Sequence, residues 1–179
     1  MKIKFLIIFL FIIFMNSHTY SDQLNTLFLK LKNAENSSEA SKVENKIWDH
    51  WIAKSLNKEN NLKMYNGIRM LNNGDINNAL KIFLDLCNIE PKWAEPFNKV
   101  ATIKFLQKDY KGSINYIKLT LEKEKRHFGA LSGLVQINIR LGKFEEALIN
   151  INKALKIHPF LKIKNLKPIL LEKIKKMEI

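Results

Sequence analysis

The chain has 179 residues, of which 46% are hydrophobic and 26% are charged, and its formal net charge at pH 7 is +13. This composition is typical of one folded domain and excludes an intrinsically disordered chain, which would hold too few apolar residues to form a core. The positive charge alone would favour nucleic acid. However, 27 of the 30 basic residues are Lys and they are scattered along the chain, so we predict no nucleic-acid partner.

The segment 1–21 has the three parts of a secretory signal peptide. Residues 1–4 are basic, residues 5–15 form an unbroken apolar run, and residues 16–21 are polar. A helix that spans a membrane needs about 20 apolar residues, and this run is shorter. We therefore predict cleavage near Ser21 and a periplasmic protein, with an uncleaved membrane anchor as the alternative.

Residues 22–57 are predicted to form a helical hairpin. Apolar residues spaced by three and four run through both halves: Leu24, Leu27, Phe28 and Leu31, then Ala40, Val43, Ile47 and Trp51. Because the terminal unit of a repeat protein needs a solvated outer face, we expect this hairpin to cover the open end of the units that follow. Trp48 and Trp51 either pack inside the hairpin or form a hot spot for a partner.

The segment that follows contains three helix-turn-helix units of equal length, at 60–93, 94–127 and 128–161. In the last unit one apolar-periodic run ends at Gly142 and a second ends at Pro159. A shift by one unit length aligns small side chains, which let two helices approach closely, and bulky ones, which fill the gap to the next unit. The small residues are Ala79, Ser113 and Ala147, and the bulky residues are Phe83, Ile117 and Ile151.

These units resemble the tetratricopeptide repeat family. Its pattern occurs as Gly67, Ala79, Phe83 and Pro91 in the first unit and as Leu134, Ala147, Ile151, Ala154 and Pro159 in the third. The middle unit departs from the pattern, with Lys108 and Lys125 where its neighbours have glycine and proline. The resemblance implies an all-α fold: a right-handed α-solenoid of three helix-turn-helix repeats, with an N-terminal helical hairpin and a C-terminal capping helix.

The resemblance also implies a concave groove lined by the first helix of each unit, where a protein or peptide partner binds. The positions that correspond to the groove are occupied here by polar and apolar residues, namely Met64, Ile68, Asn98, Thr102, Phe105, Ser132 and Gln136. Asn98, Thr102 and Gln136 would hydrogen-bond an extended or helical peptide. Met64, Ile68 and Phe105 would provide apolar contact.

Residues 162–179 are predicted to form a capping helix on the third unit. Pro168 fits the first turn of this helix, and the apolar residues that follow would close the stack. Lys173, Lys175 and Lys176 would then face the solvent near the end of the helix, where positive charge is favourable. The alternative is that this basic amphipathic segment docks on a membrane surface.

The sequence contains no catalytic or metal-binding pattern. His50, His127 and His158 are far apart, and no cysteine or carboxylate cluster stands around them at metal-ligand spacing. The single cysteine, Cys87, takes the place of a leucine in the other two units and is predicted to be a buried hydrophobe. We therefore predict a non-enzymatic protein with no metal and no cofactor.

A narrower resemblance is to an exported tetratricopeptide repeat family of alphaproteobacteria. It rests on Ile47, Trp48 and Trp51 and on the segments 98–102 and 126–133, which either mark a partner site or pack between repeats. The expected function is that of a periplasmic adaptor or assembly factor, which binds a protein or peptide of the cell envelope. The alternative is a membrane-tethered or membrane-surface scaffold.

Overall fold

The computed structural model describes residues 22–177; the predicted signal peptide at 1–21 lies outside this range, as do residues 178–179. Throughout the described range the secondary structure is helical, without a β-strand. The elements in chain order are α1 (22–32), α2 (Ser37–Ile52), α3 (Lys58–Asn72), α4 (Ile76–Ile89), α5 (Ala94–Leu106), α6 (Tyr110–Lys123), α7 (Phe128–Arg140), α8 (Phe144–Ile157), a 3₁₀ helix (Lys162–Leu166) and α9 (Lys167–Met177).

Six of these helices form three hairpins, in which α3 packs on α4, α5 on α6, and α7 on α8. The second helices of the hairpins begin at the evenly spaced residues Ile76, Tyr110 and Phe144. Each hairpin packs on the next one, because α4 contacts α5 and α6 contacts α7. The predicted all-α solenoid of helix-turn-helix units is confirmed.

The core follows the aligned small and bulky positions of the units. All six side chains are buried: Ala79, Ser113 and Ala147, then Phe83, Ile117 and Ile151. At the polar member of the small set, the Ser113 hydroxyl donates a hydrogen bond to the Ala101 carbonyl oxygen at 2.8 Å. This bond satisfies the hydroxyl inside the core, so serine replaces alanine there without leaving a buried polar group unpaired.

The turn inside each unit requires one residue in the left-handed conformation. Gly74 and Gly142 have φ angles of +81° and +71°, and Lys108 has a φ of +60° at the equivalent place in the second unit. This conformation costs a residue with a Cβ atom about 1–2 kcal/mol, a cost that glycine avoids. The second unit therefore makes the same turn as its neighbours, but with strain.

Replacing Lys108 with glycine should stabilise the protein. The change removes the left-handed strain but gives the unfolded chain more freedom, so we expect a net gain of about 0.5–1 kcal/mol in the free energy of unfolding. Urea denaturation followed by circular dichroism measures this gain. The matched control is Gly142→Lys, which should destabilise by a similar amount. A Lys108→Gly variant that is less stable than the parent would show that the turn is not strained, because only the added freedom of the unfolded chain would remain.

The C-terminal segment closes the stack, as predicted. Leu170 of α9 is 2% exposed and packs in a cluster with Val135 and Ile151 of the third unit. Pro168 is the second residue of α9, where its missing N–H removes no bond of the helix. The three lysines expected to face outward are exposed: Lys173, Lys175 and Lys176.

Helices α1 and α2 do not cover the open end of the stack, so that prediction is wrong. They lie along the edge where one unit connects to the next. Glu44 reaches His158 at the end of the third unit, and Trp51 stacks on His127 between the second and third units. Between the first and second units, the Trp51 carbonyl oxygen accepts a hydrogen bond from the Trp93 indole at 2.6 Å. Helix α2 therefore crosses all three units.

The outer face of α3 explains why the open end needs no cover. Where α5 and α7 pack on the preceding unit, they use buried apolar residues such as Val100, Ile103 and Ile137. The equivalent residues of α3 are Asn66 and Arg69, whose side chains hydrogen-bond to each other at 2.9 Å. This polar face of α3 can stay in contact with water. The aromatic rings at the connections between units are apolar, and α1 and α2 bury them instead.

Candidate functional site

The groove side of the stack, as the family resemblance defines it, is formed by the first helix of each unit: α3, α5 and α7. Residues one unit length apart occupy equivalent places on these helices and form four rows across the groove: Asn61, Glu95 and Gly129; Met64, Asn98 and Ser132; Ile68, Thr102 and Gln136; Leu71, Phe105 and Ile139. Every predicted partner-binding residue belongs to the second, third or fourth row.

Helix α2 covers the beginning of this groove. At Gly129 an added Cβ atom would lie 2.5 Å from Cη2 of Trp48, which is too close for any side chain. The indole ring therefore rests directly on the backbone of α7. Glu95 in the same row is fully buried, and Asn98 in the next row is 7% exposed. The chain thus fills this part of its own groove.

Two of the predicted partner-binding side chains do not reach the surface. Met64 is fully buried in the core of the first unit, and the Asn98 amide donates to the Glu95 carboxylate at 3.3 Å. The expectation that these two residues line an open groove is therefore corrected. The family resemblance places them at groove positions, but it does not show which side chains the rest of this chain buries there.

The other five predicted residues keep accessible surface. Thr102 and Gln136 are exposed, and Ile68, Phe105 and Ser132 are half-buried. The hydroxyls of Thr102 and Ser132 donate to carbonyl oxygens one turn earlier in their own helices, at 3.0 and 2.8 Å. The Gln136 amide forms no hydrogen bond within residues 22–177. Its N–H groups and its oxygen are therefore available to a partner in the third row.

An aromatic cluster joins α2 to the start of α7. Trp51 is 2% exposed and stacks on the His127 ring, with centroids 4.1 Å apart and planes 8° apart. Phe128 lies 5.0 Å from Trp51, and Trp48 meets Phe128 edge-on at 5.4 Å. Of the two hypotheses for these tryptophans, the structure supports packing. The same holds for segment 126–133, since its first aromatic residues complete this cluster.

A buried polar network lies beneath the cluster. The Glu95 carboxylate accepts hydrogen bonds from the Lys99 ammonium at 2.9 Å and from Nε2 of His127 at 2.8 Å. Burial raises the pKa of Glu95, but Lys99 and His127 outweigh burial and hold the pKa below its usual range. Glu95 is therefore a buried carboxylate that stays ionised at neutral pH.

The hydrogen bond at Nδ1 of His127 determines which ring nitrogen carries the proton. Nδ1 accepts a hydrogen bond from the Ala130 backbone N–H at 3.0 Å, so it caps α7 and has no proton of its own. The neutral ring then has its hydrogen on Nε2, which donates to Glu95. One imidazole thus links the start of α7 to the buried carboxylate of α5.

A second carboxylate–histidine contact ties α2 to the end of the third unit. Glu44 accepts from Nε2 of His158 at 3.1 Å and from the Trp48 indole N–H at 3.2 Å. The bond from His158 lowers the pKa of Glu44, although partial burial opposes this effect. The contact fixes the Trp48 ring, which covers Gly129.

Neither histidine contact was predicted from the sequence, because the partners are 32 and 114 residues apart. One signal was present for the first contact: His127 aligns with Trp93 when the chain is shifted by one unit length. Both side chains have a ring N–H, and both contact Trp51. The repeat register therefore marked this position, but it did not reveal Glu95 as the partner.

Cys87 is buried, as predicted, and burial raises the pKa of its thiol to about 12. The reactive thiolate is therefore scarce at neutral pH. Among residues 22–177, no three His, Cys, Asp or Glu side chains are grouped so that they could hold a metal ion. No helix in this part of the chain is both long enough and apolar enough to cross a membrane.

We compared the chain with known protein families and with individual proteins. No family model matches the chain. The chain is 30% identical over 143 residues to a protein of Rhizobium etli named TPR repeat-containing protein, and the match covers 80% of this chain and 70% of that protein. The chain belongs to the tetratricopeptide repeat family. Tetratricopeptide repeat (TPR) proteins are generally non-enzymatic and serve as protein–protein interaction modules.

Proposed function

We propose that this TPR protein is a periplasmic adaptor or assembly factor that binds a protein or peptide segment of the cell envelope in the open part of its groove. One observation supports this most directly. The third and fourth rows keep accessible side chains at repeat-equivalent places on all three groove helices: Ile68, Thr102, Gln136, Leu71, Phe105 and Ile139. Accessible side chains that recur on neighbouring helices form a continuous strip along which a peptide can lie.

The two rows offer different chemistry. The exposed Gln136 amide and Thr102 hydroxyl can hydrogen-bond a peptide backbone, while half-buried Phe105 and Ile139 accept an apolar side chain. Neighbouring helix axes lie about 8–10 Å apart, so three helices span about 18 Å, or about six residues of extended chain. Because α2 covers the beginning of the groove, the bound segment is confined to the third and fourth rows.

A photocrosslinking experiment tests the groove. With p-benzoylphenylalanine at Gln136, we expect one covalent adduct with an envelope protein, and none from the same group at Asn115, which is exposed on the outer helix α6. Replacing Thr102 with tryptophan in the Gln136 variant should block the adduct without changing the thermal unfolding, because Thr102 is exposed. Equal labelling from Gln136 and Asn115, or an adduct that persists with Thr102→Trp, would contradict the proposal.

The location in the periplasm rests on the signal peptide predicted at 1–21. We expect the intact mass of the protein from fractionated cells to fit a chain that begins at Asp22, and the protein to be found in the soluble periplasmic fraction. A chain that retains Met1 and stays in the membrane fraction would overturn this expectation. The solenoid would then be a membrane-tethered scaffold, and its partner would be sought among membrane proteins.

A further inference from the structure

A cleft lies between α2 and the segment that runs from the end of the third unit into the 3₁₀ helix. Its volume is about 650 Å³, which is within the range of small-molecule sites. The α2 wall consists of residues spaced along one face, namely Ser37, Ser41, Glu44, Asn45 and Trp48. The opposite wall consists of His158 and of residues 160–165. The exposed third and fourth rows of the groove lie outside this cleft.

Most polar groups of the cleft have no hydrogen-bond partner, although the positive charge of Lys162 also acts on Glu44 and helps to lower the pKa of its carboxyl group. Both oxygens of Glu44 are already used, since they accept from His158 and Trp48. The remaining polar side chains form no hydrogen bond or ion pair within residues 22–177, and they are Ser37, Ser41, Asn45, Lys162, Lys164 and Asn165. Two ammonium groups among hydroxyls and amides favour a ligand with a compact group of acceptor oxygens.

The same cleft has apolar surface next to these donors. The Trp48 ring is half-buried, and so are Phe160, Leu161 and Ile163 across the cleft. Lys164 lies over the Phe160 ring, with its ammonium 5.6 Å from the ring centroid. Donors and apolar surface therefore meet at one place, so a ligand that contacts both needs an anionic group and an apolar body.

We propose that this cleft binds a small amphipathic anion. A phosphate or carboxylate group contacts Lys162 and Lys164, and the apolar body of the ligand lies against Trp48 and Phe160. The Glu44 carboxylate repels a second negative charge, so the anionic group of the ligand lies at the lysines and not beside Glu44. Because the contact of Glu44 with His158 holds α2 against the third unit, the cleft is formed before the ligand arrives.

Isothermal titration calorimetry with octyl phosphate and with octanoate tests the site. We expect saturable one-to-one binding of at least one of them, weakening as salt is added. Inorganic phosphate lacks the apolar body and octanol lacks the charge, so each should bind about tenfold more weakly or worse. The stronger of the two anions identifies the headgroup. Absence of saturable binding by both anions, or equal binding of octanol, overturns the proposal.

Matched variants separate this cleft from general attraction to a basic protein. Lys162→Gln with Lys164→Gln should weaken binding about tenfold, whereas Lys111→Gln with Lys118→Gln, the same charge change on α6, should change it less than about twofold. Ser41→Trp, on an exposed position of α2, should fill the cleft and abolish binding. Equal losses in both lysine pairs would overturn the site. Photocrosslinking from Gln136 should not change in any of these variants, so the two proposals can fail separately.

Discussion

Replacing Trp51 with alanine is expected to lower the free energy of unfolding by about 3–5 kcal/mol, the range typical of buried aromatic side chains. Trp51 is 2% exposed, stacks on His127 and lies 6.0 Å from Phe28, measured between ring centroids. Its removal leaves a cavity between α2 and the stack. Urea denaturation followed by circular dichroism measures the loss.

The control for this variant is Tyr65→Ala on α3. Tyr65 is also aromatic but is 50% exposed, so its truncation should change the stability by less than about 0.5 kcal/mol. If Trp51→Ala and Tyr65→Ala unfold alike, α1 and α2 are not part of the cooperative fold. Limited proteolysis gives a second readout, because in Trp51→Ala the connection between α2 and α3 should be cut first.

Replacing Glu95 with glutamine should destabilise the protein by about 3 kcal/mol, because the change leaves the charge of Lys99 without its buried partner. The Lys99 side chain is only 19% exposed, so water compensates it poorly. The matched control is Glu59→Gln, which removes the exposed ion pair of Glu59 with Lys63 and should cost less than about 0.5 kcal/mol. Equal effects of the two variants would show that the Glu95 network is not stabilising.

The same carboxylate predicts a dependence of stability on pH. The pKa of Glu95 is lower in the folded protein than its ordinary value of 4.5, so its contribution is complete above that pH. The contribution is lost as the pH falls below 4.5 and through the folded pKa. The parent should therefore lose more stability on acidification than Glu95→Gln. Parallel curves of unfolding free energy against pH for the two proteins would contradict this.

The groove residues were predicted from the sequence in part. The resemblance to the tetratricopeptide repeat placed Thr102 and Gln136 in an open groove, and the structure exposes both. The same resemblance placed Asn98 in that groove, where it is buried beside Glu95. A repeat pattern describes one unit at a time. It does not report that α2, which lies outside the repeat, packs over the beginning of the groove.

Gly129 illustrates the same limit at a single residue. The sequence shows only that Gly129 occupies a groove position. No residue of its own unit explains why a side chain is missing there. In the structure its missing Cβ is what allows the Trp48 ring to approach the backbone of α7. The partner lies on a helix that precedes all three units, so no local pattern could have identified it.

The helices, their turns and their pairing within each unit follow from residue patterns, because they depend on contacts among neighbouring residues and recur in every unit. Only the three-dimensional structure shows where α1 and α2 lie and which part of the groove stays open. It also shows that Glu95 contacts His127 and that Glu44 contacts His158. These contacts join residues that are distant in the chain and occur once each. Their stability comes from burying particular rings and charges together, and periodicity contains no information about a contact that does not repeat.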